Sequence, residues 1–225
     1  MRNARLPLML FAAGRGTRMG ALTLDRPKPL VEVAGLPLID HALGLAEAAG
    51  AEPIVVNTHY LAPMIEAHLG KRVLYSPEPT LLETGGGLRA ALPLLGGGPV
   101  YTLNSDAVWT GPNPLATLAA AWEPERMDGL LLLVPKSRAA GHGPKGDFDL
   151  ADGLVTRGQD YIYTGAQIIR PDGLAGIAAE VFSLNVLWDE MIAAGRLYGV
   201  VHPGRWCDVG RPEGIALGEA MLADG

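Results

Sequence analysis

Cysteine is nearly absent. The 225 residues contain one, Cys207, so no internal disulfide can form and a reducing cytoplasm is the expected setting. Aromatic residues are scarce at 6%, and Lys and Arg (18) are outnumbered by Asp and Glu (24) for a net charge of −6. That balance argues against nucleic acid or an anionic membrane surface as a partner. No apolar run approaches the ~20 residues of a membrane span, and no basic-then-apolar leader precedes the first apolar segment, so neither an anchor nor an export signal is expected. The five histidines (His41, His59, His68, His142 and His202) show no metal-ligand spacing, which removes a zinc site. Glycine (30) and proline (18) are plentiful, and 48% of the chain is apolar. One domain over residues 1–225, with one substantial core and many short connections, is the simplest reading.

Short apolar segments alternate with amphipathic or Ala/Leu-rich ones, the pattern of a parallel sheet covered on both faces by helices. Strands are expected over residues 6–12, 53–57, 72–75 and 100–104. Helices are expected from Pro37 to just before Gly50, over 61–69 up to Gly70, and over 88–94 behind a turn at 84–87. The second half reads as a strand at 129–134, a hairpin of 146–150 with Val155 around Asp152-Gly153, and a strand at 165–170. A helix at 183–194, a strand at 197–202 and a closing helix at 212–222 follow. Such sheets gather ligands outside the carboxyl ends of their strands, where Gly14 and Asp106 would both fall.

Residues 10–30 carry the most information. An apolar strand runs into Gly14-Arg15-Gly16, and four cations (Arg15, Arg18, Arg26 and Lys28) stand there against one acid, Asp25. A strand ending in Gly-x-Gly offers backbone N–H groups with no Cβ in the way, a cradle for phosphate oxygens. Counting excludes two familiar loops. The third glycine of a dinucleotide fingerprint and the second of a P-loop would both fall on Met19.

The spacing instead resembles the sugar-1-phosphate nucleotidyltransferases, whose pattern is roughly Ala-Ala-Gly-x-Gly-Thr-Arg, an insert, then Pro-Lys-Pro. Here it stands as Ala12-Ala13-Gly14-Arg15-Gly16-Thr17-Arg18 and Pro27-Lys28-Pro29. Leu82-Glu83-Thr84-Gly85-Gly86-Gly87, Asn104-Ser105-Asp106, Gly146-Asp147-Phe148, Thr164-Gly165 and Trp206-Cys207-Asp208-Val209-Gly210 follow in the family's order. Ser76-Pro77-Glu78 and the tract from His142 to Phe148 point within the family to the branch that joins UTP to N-acetylmuramate 1-phosphate in cell-wall sugar recycling. One departure is Ala21, where many relatives carry proline before Leu22-Thr23; no charged or liganding group is lost.

The resemblance implies a three-layer α/β/α, Rossmann-like nucleotidyltransferase fold with a mainly parallel mixed sheet. The nucleotide would sit on residues 1–110 and the sugar on 111–225. It also implies Mg²⁺ as cofactor, with UTP or another NTP and a sugar 1-phosphate as partners; the oligomeric state stays open, a monomer included. Lys28, Arg18 and Asp106 would be catalytic: Lys28 bridging the reacting phosphates, Arg18 holding the β- and γ-phosphates. Ala12, Ala13, Gly14, Gly16, Thr17, Thr84 and Gly85 would complete the nucleotide site, and Asp106 and Asp208 would hold the metal. Glu83, Asn104, Asp147, Thr164 and Gly165 would face the sugar, and Lys145 or Arg205 would meet any carboxylate it bears. Alternatives remain within the class (thymidylyl, guanylyl or cytidylyl transfer to glucose 1-phosphate, mannose 1-phosphate or phosphocholine) and outside it, as a non-catalytic nucleotide-sugar sensor.

Overall fold

A computed structural model describes residues 5–224. In chain order, β1 (Leu8–Phe11) leads through a 3-10 helix (Thr17–Thr23) and a second one (Lys28–Leu30) to the short pair β2 (Glu32–Val33) and β3 (Leu36–Pro37). Next come α1 (Leu38–Ala48), β4 (Ile54–Thr58), α2 (Ala62–Leu69), β5 (Leu74–Pro77), α3 (Glu83–Leu95), β6 (Val100–Asn104), β7 (Ala107–Trp109) and α4 (Pro114–Ala121). The second half holds β8 (Gly129–Pro135), β9 (Ala139–Ala140), β10 (Phe148–Ala151), β11 (Leu154–Arg157), β12 (Tyr161–Ile169), α5 (Asn185–Ala193), β13 (Leu197–Val201), β14 (Trp206–Asp208) and α6 (Glu213–Ala223).

The central sheet has the order β10-β11-β13-β8-β12-β6-β1-β4-β5. Only β11 and β12 run against the others, so the sheet is mixed but mainly parallel. Strand alternation splits the core between two faces. Leu8, Leu10, Leu130 and Leu132 join α1, α2 and α4 on one side, while Met9, Leu131 and Leu133 join α3 and α5 on the other. Both faces are covered, as a sheet of apolar parallel strands requires. α6 lies apart, closing a third cluster with β2, β7 and β14.

Three expectations need correcting. The strand expected at 72–75 is β5, moved along because its pairing with β4 runs from Leu74 opposite Val55 to Pro77 opposite Thr58. Register, not local apolarity, sets that edge. The turn expected at 84–87 is instead the first turn of α3. Its glycines serve close packing: a Cβ on Gly85 would lie 2.4 Å from the Phe182 ring, and one on Gly87 would lie 2.6 Å from Glu78 Oε1. The strand expected at 165–170 begins at Tyr161 and shifts register between Tyr163 and Gln167, so the alternation a strand is recognised by breaks there. The sequence reading also passed over α4, although Asn113 caps it by accepting from Leu115 N at 2.9 Å and Pro114 occupies its first position.

Candidate active site

β1 and β6 lie side by side with Phe11 opposite Asn104, and the chain leaves their carboxyl ends as Ala12-Ala13-Gly14 and Ser105-Asp106. The strand order reverses around β1, with β4 and β5 to one side and β6 to the other. That is where an open α/β sheet leaves a crevice. A cavity of about 320 Å³ occupies it, walled by Ala12, Ala13, Gly14, Lys28, Glu83, Thr84, Asn104 and Asp106.

The glycine loop is pinned by its non-glycine. Met19, the residue that breaks both familiar motifs, is buried against Val31, Val209 and Met221. Thr23 Oγ1 donates to Gly16 O at 3.0 Å, and Tyr60 Oη donates to Thr23 O at 2.9 Å. Gly16 has φ 64°, and a Cβ there would stand 2.8 Å from Lys28 Cβ. The loop therefore folds directly onto the lysine, which is 8% exposed. Its Nζ donates to Asp106 Oδ2 at 2.7 Å.

Asp208 reaches the same place through a ladder. β14 pairs antiparallel with β7, Asp208 opposite Ala107, and Val209 N donates to Asp106 O at 2.9 Å. Burial and then the Asp106 charge push the Asp208 carboxyl above the usual range, and Lys28, Arg18 and His142 pull the other way. A Cβ on Gly210 would lie 2.8 Å from Asp208 Oδ2 and 3.1 Å from Arg18 Nη2, so that glycine keeps space where the two head groups converge. Lys28, Asp106, Asp208 and Arg18 thus belong to one locus. Among the described residues no three His, Cys, Asp or Glu side chains cluster as metal ligands. A pair of carboxylates suits Mg²⁺, which fills its shell from phosphate oxygens and water.

A chain of hydrogen bonds absent from the sequence reading builds the pocket's far wall. Ala12 N donates to Asn57 Oδ1 at 2.7 Å, Asn57 Nδ2 donates to Glu78 Oε1 at 2.7 Å, and Leu82 N donates to Glu78 Oε2 at 3.0 Å. Glu78 is 4% exposed and lines the cavity with Asn57. In the sequence it figures only in Ser76-Pro77-Glu78, a marker of the family resemblance, and no local signal between Pro77 and Pro79 gives its partners. Glu83 lines the cavity with φ 58°, a conformation that favours glycine.

The remaining sequence-selected residues divide. Gly16, Thr17 and Arg18 sit in the loop outside the cavity wall. Gly85 is buried, its N–H donating to Phe182 O at 2.9 Å, and Thr84 Oγ1 accepts from Leu184 N at 3.0 Å. Gly165 has φ 82°, and a Cβ there would meet Asn104 Nδ2 at 2.7 Å, so it makes room for the asparagine. The Thr164 hydroxyl points into the sheet and donates to Leu132 O at 2.7 Å. Asp147 Oδ2 accepts from Tyr163 N at 2.9 Å and lies 3.8 Å from His142 Nε2. Trp206 packs in a small cluster with Ala107, Val134 and Ile162. His142, set aside in the sequence for lack of metal spacing, is brought to the locus by the strap that carries Asp147.

The pattern of the MobA-like NTP transferase domain matches residues 8–146. The N-acetylmuramate alpha-1-phosphate uridylyltransferase of Caulobacter vibrioides is 44% identical to this chain, with 96% of each covered. The protein of that name from Neisseria meningitidis serogroup B is 39% identical, over 90% of this chain and 92% of its own. Among solved structures, a putative glucose-1-phosphate thymidylyltransferase from Bacillus anthracis, in complex with a sucrose, superposes with TM-score 0.82 at 16% identity. The match covers 98% of this chain and 96% of that one, a likeness of fold. By its matching domain, its near full-length relatives and its architecture, the chain belongs to the sugar-1-phosphate nucleotidyltransferases.

Proposed function

We propose that the protein joins UTP to N-acetylmuramate 1-phosphate, giving the UDP-sugar and pyrophosphate with Mg²⁺ as cofactor. The observation that carries this is the Lys28–Asp106 pair at the mouth of the β1/β6 pocket, with Asp208 laddered beside it. In the reaction a sugar phosphate oxygen bonds to the α-phosphorus, the bond from that phosphorus to the α–β bridging oxygen breaks, and pyrophosphate departs. The nucleophile is ionised near neutral pH, so no general base is needed. The barrier is charge repulsion and alignment. Lys28, largely withdrawn from water and set by its flanking prolines, presents its ammonium to both phosphates with little reorganisation. Arg18, exposed at the loop's rim, grips the β- and γ-phosphates. Asp106 and Asp208 would hold Mg²⁺, which when bound would supply Lewis-acid neutralisation of phosphate charge.

The choice of uracil over cytosine is supported by Glu78. Its buried carboxylate only accepts hydrogen bonds, and it can take an N–H from uracil N3. Cytosine presents a bare acceptor at that position, which a carboxylate disfavours. The choice of sugar is supported by the two relatives of near equal length. In this reading residues 1–110 carry the nucleotide, residues 111–225 carry the sugar, and the enzyme works in the cytoplasm. No described helix is long and apolar enough to cross a membrane. A pyrophosphate-release assay of the four common NTPs against N-acetylmuramate, mannose and glucose 1-phosphates tests the proposal. Highest kcat/KM for UTP with N-acetylmuramate 1-phosphate is expected; preference for another pair would replace it.

A further inference from the structure

From Gly14 to Asp25 the chain runs through a 3-10 segment broken at Gly20, which stands at φ 60° and ψ −127°. Of the apolar side chains beyond its glycines, Met19 is buried, whereas Ala21, Leu22 and Leu24 are exposed. The half of the loop after Gly20 therefore has little core to rest on. It hangs on Thr23, 4% exposed, whose hydroxyl lies 3.0 Å from Gly16 O and 3.3 Å from Gly20 O. A Cβ on Gly16 would stand 3.1 Å from the Thr23 methyl, so the two ends of the loop are in close apposition.

Those bonds are internal to the loop. Among the described residues, the group outside it that hydrogen-bonds residues 14–25 is the Tyr60 hydroxyl, which shares its proton between Thr23 O at 2.9 Å and Leu24 O at 3.1 Å. Tyr60 is half-buried and follows directly on the end of β4. The same stretch holds the opposite wall of the pocket: Asn57 Nδ2 donates to Glu78 Oε1, and His59 Nδ1 lies 2.8 Å from Glu78 O. One end of β4 thus fixes both the Glu78 wall and the phosphate loop.

We propose that Tyr60 is a positioning residue for the triphosphate: through Thr23 it holds the segment carrying Arg18 in the shape that grips the β- and γ-phosphates. This rests on the function proposed above and adds to it the residue that pre-orders the phosphate loop. Short segments with exposed backbone bonds open at little cost. A loop already tethered in its closed shape spares the nucleotide that ordering cost on binding. Lys28 has anchors of its own in Pro27, Pro29 and Asp106, so the tether bears on nucleotide affinity more than on the chemical step.

The test measures binding to the full chain of UTP with Mg²⁺ and of UMP, which lacks the phosphates that Arg18 grips. Tyr60→Phe keeps the ring and removes the hydroxyl. It should weaken UTP binding about three- to tenfold, the worth of one hydrogen bond, and raise the KM for UTP alike. UMP affinity, and kcat at saturating UTP, should change by less than about twofold. In an Arg18→Ala background the same substitution should cost UTP nothing further, because the side chain whose place the tether sets is gone. If the wild type binds UTP no tighter than UMP, the triphosphate site of the proposed function falls and this inference with it. If the wild type favours UTP but Tyr60→Phe leaves that preference unchanged, weakens both nucleotides equally, or adds its full effect to Arg18→Ala, the tether serves the fold alone and only this inference is overturned.

Discussion

Gly16 lies so close to Lys28 that a Cβ on the glycine would stand 2.8 Å from the lysine's own Cβ. The glycine loop and the lysine, twelve positions apart in sequence, are one packed unit, and the loop's conformation sets where the ammonium sits. Gly16→Ala must accept φ 64° as well as that contact, a left-handed cost of about 1–2 kcal/mol before any clash. Chemical denaturation should show at least that loss, with a lower kcat. At Gly14, where a Cβ would meet nothing within 4 Å, alanine should leave folding stability within about 0.5 kcal/mol of wild type.

Asn57 links β1 to Glu78. Asn57→Ala would leave Ala12 N–H and one Glu78 oxygen without their partner, a loss of about 1–3 kcal/mol. Glu78→Gln keeps the shape but offers a donor where only acceptors stood, so discrimination of UTP against CTP should shrink. Initial-rate assays with each nucleotide in turn read this directly.

Asp208 carries a testable conflict between stability and activity. Its carboxyl is held above the usual range by burial and by Asp106. An acid with a raised folded-state value destabilises the fold where it is ionised, and the penalty lifts as pH falls through that value. Asp208→Asn should therefore raise the metal-free Tm at pH 7, with the difference from wild type vanishing in acid, while turnover collapses. A metal-free variant no more stable than wild type at pH 7 would contradict the electrostatic account.

Burial pushes the Cys207 thiol up to about 11, so almost no thiolate exists at pH 8. A thiol reagent should label the folded protein negligibly and the denatured protein with one equivalent.

The legible parts of this fold are those where local pattern and global packing agree. β6 ends at Asn104 as its apolar run does, and α1 keeps helical spacing between Pro37 and Gly50. The glycines at 85–87 misled because glycine clusters read as turns, whereas here each admits a neighbour: a Phe182 ring, a Glu180 carbonyl, a Glu78 carboxylate. The loop from Gly14 to Lys28 stands out by charge and spacing alone, and its packing onto the lysine follows the glycine spacing. The meeting of Asp106 and Asp208 was implied by the family resemblance alone and by no local pattern, because it depends on the β7–β14 ladder between segments a hundred residues apart. Nothing local to Trp206-Cys207-Asp208 announces that partner, and the Ala12–Asn57–Glu78 relay is likewise long-range.

The most direct test of the central claim is single-turnover pyrophosphate release from UTP and N-acetylmuramate 1-phosphate by Lys28→Ala and Asp106→Ala, each checked for an intact fold. The account predicts that both slow the chemical step about a hundredfold or more, as loss of a preorganised charge does, with UTP still bound. A folded Lys28→Ala variant that releases pyrophosphate at the wild-type rate would contradict it.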